Sequence, residues 1–201
     1  MIATETRRDV RQQLLTDIIR NRRSVYADDY TNEPIPETII REVLTNATWA
    51  PTYRMTQPWS FIVLQGSQRR PFGEYLAAYY RERLSEEVFP KERYERAKVY
   101  PERAACMIVL IMCRHTKIEI KEWEEMAAVC CAVQNMALTC EAYDIGAYWD
   151  SCDACVEYAS RFGLAPNEKC LGFFYMGYYD RATYCNPKRR TPIEKKVTWL
   201  Y

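Results

Sequence analysis

The chain has 201 residues, a single histidine, and 28 Lys and Arg against 27 Asp and Glu, for a formal charge of +1. That length buries a core without disulfide or metal staples and predicts one domain over residues 1–201. The near-neutral balance excludes a general field drawing the protein onto nucleic acid or an anionic membrane, so any bound anion must be met by a local cluster.

The opening "MIATETRRDVRQQ" has no apolar h-region, and the apolar run at 104–113 is too short to span a bilayer. A soluble, cytoplasmic protein is expected. Val10, Leu14, Leu15, Ile18 and Ile19 recur at helical spacing and predict a first helix ending in "NRRS". Pro36 then sits at a helix start, with Ile39, Ile40, Val43, Leu44 and Ala47 on one face before Pro51 stops the element.

Between that helix and a strand at "WSFIVLQG" lies "WAPTYRMTQPWSF", a stiff loop of prolines, rings and amide donors. A charged amphipathic helix, "RRPFGEYLAAYYRERL", comes next. It leads into a polar, aromatic stretch, "EEVFPKERYERAKVYPER", expected to be a mobile helical excursion over the surface. "AACMIVLIMC" is apolar at every alternation, as a central strand covered on both faces would be.

Residues 123–143 keep helical apolar spacing and stop near Gly146, which predicts a long core helix. "AYWDS", "CDACVEYASRFGL" and "CLGFFYMGYY" follow as strand or loop, helix, and strand. Helices interleaved with hydrophobic strands imply a layered α/β or α+β domain.

Several chemistries lack their residues. A histidine-dependent nucleophile would have to use His115, directly after the apolar strand. The six glycines form neither a dinucleotide fingerprint nor a P-loop, and no carboxylate pair stands out. If the protein is an enzyme, a bound cofactor performs the difficult step. The nine cysteines fit no zinc spacing and are expected to be mostly reduced, buried small hydrophobes. "CDAC", at Cys152 and Cys155, is the one C-x-x-C, a redox or metal motif with no second pair beside it.

Two basic clusters suit a phosphate. "NRRS" groups Arg22, Arg23 and the Ser24 hydroxyl, and "PKRRTP" sets Lys188 and Arg190 between prolines. Spacing alone favours the other reading, a pair of solvated surface patches.

Taken in order, "NRRSVYADDYTNEPIP", "ATWAPTYRMTQPWSFIVL", "AYDIGAYWDS", "LGFFYMGYYD" and "KRRTPIEKKV" resemble the nitroreductase family of FMN-dependent oxidoreductases, especially its short bacterial members. The resemblance runs from about residue 15 to the end, and A-P-x-x-x-x-x-Q-P-W is its most specific part. It implies an α+β fold with a central, mainly antiparallel sheet flanked by helices, and an intertwined homodimer with FMN at the subunit interface.

On this resemblance, Arg22, Arg23 and Ser24 hold the FMN phosphate with Lys188 and Arg190. Pro51, Thr52, Tyr53 and Met55 lie against the flavin from the partner subunit, with Gln57 behind. Trp149, Asp150 and Ser151 bring backbone N–H groups to the N5 edge, Tyr26 stands near N1 and O2, and Cys152 closes the segment. Many relatives have Asn in place of Met55, a basic residue in place of Tyr26, and Gly in place of Asp144, where Asp tolerates the left-handed region.

The implied activity is ping-pong hydride transfer from NADH or NADPH through FMN to an electron-poor small molecule, a nitroaromatic or a quinone. Tyr53, Arg54, Tyr79, Tyr80 and Trp123 are candidates for lining the open side, with Tyr94 and Tyr100 on a lid. Two alternatives stay open: the same fold and FMN serving reductive dehalogenation or metabolite dehydrogenation, and a flavin-binding or thiol redox module without reductase activity.

Overall fold

The apolar run at 104–113 becomes strand β2 (Cys106–Cys113), every residue of it buried except the last. The computed structural model describes residues 7–184 and 189–201. β2 is joined by β1 (Trp59–Leu64), β3 (Ile145–Asp150) and β4 (Glu168–Tyr178) in one sheet of order β1-β2-β4-β3. All neighbours are antiparallel: Trp59 faces Met112, Cys106 faces Met176, and Ile145 faces Tyr178. β2 and β4 are therefore central, and β1 and β3 are opposite edges.

One face is covered by α2 (Glu37–Ala47) and α5 (Glu122–Ala142), whose Ile40, Val43, Val129, Val133 and Met136 meet Ile108, Leu110 and Phe174. The other face takes α3 (Arg70–Arg83) and α6 (Asp153–Tyr158), with Phe72, Leu76 and Tyr158 against Val109, Phe173 and Tyr175. Each such side chain, fully buried, contributes about 1.5–3 kcal/mol. The polar excursion forms α4 (Lys91–Val99), laid on α3 with the Arg81 guanidinium 4.5 Å from the Tyr94 ring centre.

The register between β2 and β4 slips between Leu110 and Ile111, where Gly172 has φ 120°. A Cβ there would stand 2.2 Å from the Asp150 carbonyl oxygen and 2.7 Å from Trp149 Nε1. Only glycine lets β3 approach so closely.

After β2 the chain turns on a buried carboxylate. Glu125, 2 % exposed, receives Arg114 Nε and the His115 N–H, the latter at 2.8 Å. His115 Nδ1 accepts from the N–H groups of Lys117 and Ile118 at 3.2 and 3.1 Å, so the single histidine shapes a turn.

Helix α1 (Arg7–Asn21) forms where its spacing predicts, yet it buries no residue: Val10, Leu14, Leu15 and Ile19 are 48–60 % exposed. Trp199, Leu200 and Tyr201 at the far end of the chain are also exposed. The eight described cysteines are free, and Cys130 and Cys131 correct the expectation of burial by facing outward from α5. No helix among the described residues is long and apolar enough to cross a membrane.

Candidate functional site

The end of α1 runs directly onto the sheet edge. Ser24 forms a parallel bridge with Ala147, and the Val25 N–H donates to the Ala147 carbonyl at 3.2 Å. Tyr184 ties the same turn down by donating its hydroxyl to the Ser24 carbonyl at 2.9 Å. Arg22, Arg23 and Ser24 are thus held beside β3 by backbone bonds, so their side chains are not spent on that attachment.

The charges there repel one another. Burial, then the neighbouring Arg23 and Arg190 cations, hold the Arg22 guanidinium below its ordinary value, with Glu141 opposing. Glu141 is itself engaged by Arg181, which also bonds Asp144. Arg23 donates one terminal nitrogen to the Arg22 carbonyl, while its buried Nε has no partner among the described residues. A buried, unpaired guanidinium donor beside mutually repelling cations calls for an anion with several oxygens, as a phosphate ester has. Arg190 joins this cluster; Lys188 lies outside the described residues.

Next to the arginines stands a set of tyrosines. Tyr26 tilts against Tyr148 at 4.9 Å between ring centres, and Tyr148 stacks on Tyr175 at 4.7 Å and 18°. Tyr148 donates to Tyr100 at 2.9 Å, and burial keeps both hydroxyls protonated by raising their values. The buried Tyr175 hydroxyl has no partner among the described residues. The sequence reading names Tyr26 but misses Tyr148 and Tyr175; their cross-strand pairing was the available signal, since they face each other in register.

The strand ends at the expected segment. Trp149 donates its indole N–H to the Leu171 carbonyl at 2.8 Å, and Asp150 accepts from the Cys152 N–H at 3.1 Å. Ser151 between them is exposed. Trp149 is therefore a packing residue as well as a candidate contact.

The loop 51–57 stands elsewhere. It precedes β1, on the opposite sheet edge, and Pro58 is level with Cys113 whereas Ala147 is level with Met176 and Cys106. Three strand spacings separate the corners by roughly 14 Å across the sheet, and seven residues by roughly 23 Å along it. Pro51, Thr52, Tyr53, Met55 and Gln57 do not meet Arg22, Arg23 and Ser24 within one chain.

That loop is held in an unusual shape. Arg54, Met55 and Gln57 have φ of 50°, 55° and 46° without being glycine. Such conformations cost about 1–3 kcal/mol each. The Thr52 hydroxyl supports the turn by accepting the Gln57 N–H at 3.0 Å. What it displays is apolar and aromatic: Met55 is 72 % exposed and Tyr53 51 %, with Arg54 over the Tyr53 ring at 5.4 Å. Trp123, in the first turn of α5, is also exposed.

Other lining candidates divide. Tyr79 is buried under Arg83 at 3.7 Å and donates to Glu157 at 3.3 Å, so it is packed rather than open. Tyr80 is half-buried beside Cys152. Tyr94 lies on α4, and Tyr100 reaches inward to Tyr148. Asp144 adopts φ 55°, the left-handed conformation expected where relatives have Gly.

Comparison with known proteins gives a consistent result. The model of the nitroreductase family matches residues 19–178. YfhC of Bacillus subtilis strain 168, a candidate NAD(P)H nitroreductase by name, is 29 % identical over 188 residues, covering 92 % of this chain and 93 % of its own. A nitroreductase-like family protein from Bacillus cereus superimposes with a TM-score of 0.74 at 26 % identity, over 92 % of this chain and 95 % of that one. The FMN-dependent nitroreductase NfnB of Mycobacterium smegmatis, solved with NADPH, shares the fold at a TM-score of 0.73 and 19 % identity, over 94 % and 99 % of the two chains.

Proposed function

The chain belongs to the nitroreductase family, and from that premise we propose that it is an FMN-dependent NAD(P)H oxidoreductase, one flavin-binding domain per chain, working as a homodimer. The observation that most supports this reading is the division of the cradle: arginines with a buried unpaired donor at one corner of the sheet, a strained, exposed aromatic loop at the opposite corner. Neither corner encloses a ligand alone. A second copy brings its loop to the first copy's arginines, and the uncovered apolar stripe of α1 supplies surface for the association.

In this arrangement Arg22, Arg23 and Arg190, with Lys188, bind the phosphate, and Ser24 adds its hydroxyl. Backbone N–H groups of residues 149–151 orient the ring edge, and Tyr26 and the Tyr148–Tyr175 stack hold a flat, water-excluding wall beside it. The loop 51–57 of the second copy closes the other side, with Tyr53, Arg54 and Trp123 toward the incoming substrate. Bound FMN supplies the hydride chemistry, accepting from NADH or NADPH and delivering to an electron-poor nitroaromatic or quinone. The protein's task is to fix the donor carbon and the acceptor at roughly 3–3.5 Å, which positioning residues achieve without an acid or a nucleophile.

An anaerobic stopped-flow experiment tests this. A yellow dimer that bleaches with NADH or NADPH and recolours on adding a quinone or nitroarene is the expected result. A colourless protein that takes up no FMN overturns the cofactor, and a yellow one that neither nicotinamide bleaches overturns the reductase activity.

A further inference from the structure

The C-x-x-C at the start of α6 begins where the segment 149–151 ends, and its two thiols, to which the proposed function gives no role, are built as a pair. Cys152 and Cys155 stand with their sulfurs 3.3 Å apart. The N–H groups of Cys155 and Val156 both bond the Cys152 carbonyl, at 3.0 and 3.3 Å, so the backbone turn itself holds the side chains together. A disulfide bond is about 2.05 Å long, so the sulfurs need close by only a little over one ångström.

Other thiols on the same sheet are engaged singly. Cys113 donates to the Glu168 carboxylate at 3.5 Å, and Cys170 to the Gly172 carbonyl at 3.7 Å. The pair is also asymmetric: Cys152 is partly exposed and Cys155 is buried. One Asp150 carboxylate oxygen lies within 4.8 Å of both sulfurs.

We propose that Cys152 and Cys155 form a thiol–disulfide exchange site for low-molecular-weight disulfides of the glutathione disulfide class, Cys152 attacking and Cys155 resolving. The Cys152 thiolate, its proton given to water, attacks one sulfur of the small disulfide, whose S–S bond breaks and releases one small thiolate that takes up a proton from water. Cys155 attacks Cys152 Sγ, its proton passing by way of the Asp150 carboxylate to the second small thiolate as that leaves. Two electrons leave the cysteine pair, and one Cys152–Cys155 bond and two small thiols result.

Electrostatics agrees with these roles. The hydrogen bond shared with Cys155 holds the Cys152 thiol below its ordinary value, against burial and Asp150. The same bond, then burial, pushes Cys155 up. Burial pushes Cys106 up to about 12 and Cys113 up to about 11, which leaves them inert. Tyr80, beside Cys152, also walls an open groove with Phe89, Arg93 and Tyr100, and a carboxylate-bearing disulfide entering there meets Arg93.

The test uses the full-length protein with glutathione disulfide. Remaining thiols are alkylated before unfolding, chymotrypsin releases peptide 150–158, and its mass is read. The expected peptide is unalkylated and lighter than the dithiol by two hydrogens, and dithiothreitol reverses the change. Cys155→Ala should retain one glutathione on Cys152, and Cys152→Ala should leave Cys155 unreacted. The wild-type peptide decides the matter should either variant fail to fold. Double alkylation of that peptide after treatment overturns the proposal. So does a Cys152→Ala chain that loses the Cys155 thiol at the wild-type rate, or one zinc ion per chain that disappears with Cys152.

Discussion

Val25 donates its N–H to the Ala147 carbonyl at 3.2 Å, and this bond, with the Tyr184 hydroxyl on the Ser24 carbonyl, fixes the arginine pair at the outer edge of β3. The side chains of Arg22 and Arg23 are therefore presented by the backbone, and their charge is held close without a full complement of counter-charge. Arg22→Ala should weaken FMN binding roughly ten- to hundredfold, the equivalent of one charge-assisted hydrogen bond of about 1.5–3 kcal/mol. The flavin-free protein should be no less stable, because a repulsion is removed. Flavin titration and thermal denaturation of the flavin-free form check the two halves, and an unchanged affinity would take Arg22 out of the phosphate site.

Arg114 faces the opposite situation. Its partner Glu125 has a side chain 1 % exposed, with the His115 N–H as its other donor. Arg114→Met leaves a buried carboxylate short of a cation and should cost about 3–5 kcal/mol, whereas adding Glu125→Met should recover most of the loss. Urea unfolding of the two variants measures both. Equal loss in single and double variants would show that the ion pair is not the cause.

Gly172→Ala combines a positive φ with a collision against the Asp150 carbonyl. Strain and overpacking together predict a loss of about 2–6 kcal/mol. Since the backbone that must move belongs to Asp150 and Ser151, with the Trp149 indole beside it, flavin affinity should fall with stability. A folded variant with wild-type affinity would mean that β3 gives way without disturbing the site.

The reactivity of Cys152 should depend on pH in a definite direction. The Cys155 hydrogen bond stabilises the thiolate, so alkylation of Cys152 should rise with pH at a midpoint below that of an ordinary thiol, about 8.5. In Cys155→Ala the largest influence favouring the thiolate is lost, and only the backbone N–H of residue 155 still opposes burial and Asp150, which favour the neutral thiol. The midpoint should move to higher pH and the rate at neutral pH should drop. A midpoint unmoved by Cys155→Ala would assign the activation elsewhere.

Much of this fold is legible where burial repeats with a period. β2 was apparent because apolar residues fill every alternation of 106–112, and α5 because its stripe persists for 21 residues. The family resemblance reaches the arginines, the loop and the segment 149–151, each marked by unusual local residues. What one-dimensional pattern hides is which elements meet. Tyr148 and Tyr175 are far apart in sequence and become a stack only through the β3–β4 register. The apolar stripe of α1 looks like a core face and is exposed here, since helical spacing reports that a face is apolar and not what covers it.

In the proposed homodimer, the separation of the two corners makes flavin uptake a property of pairs of chains. In a dimer mixed from one chain with disabled arginines and another with a disabled loop, one cradle collects both defects and its twin collects neither. Two colourless variants, unfolded and refolded together, should therefore turn yellow, and a chain bearing both lesions should rescue neither parent. Subunit complementation of this kind would reveal which surfaces belong to the same active site.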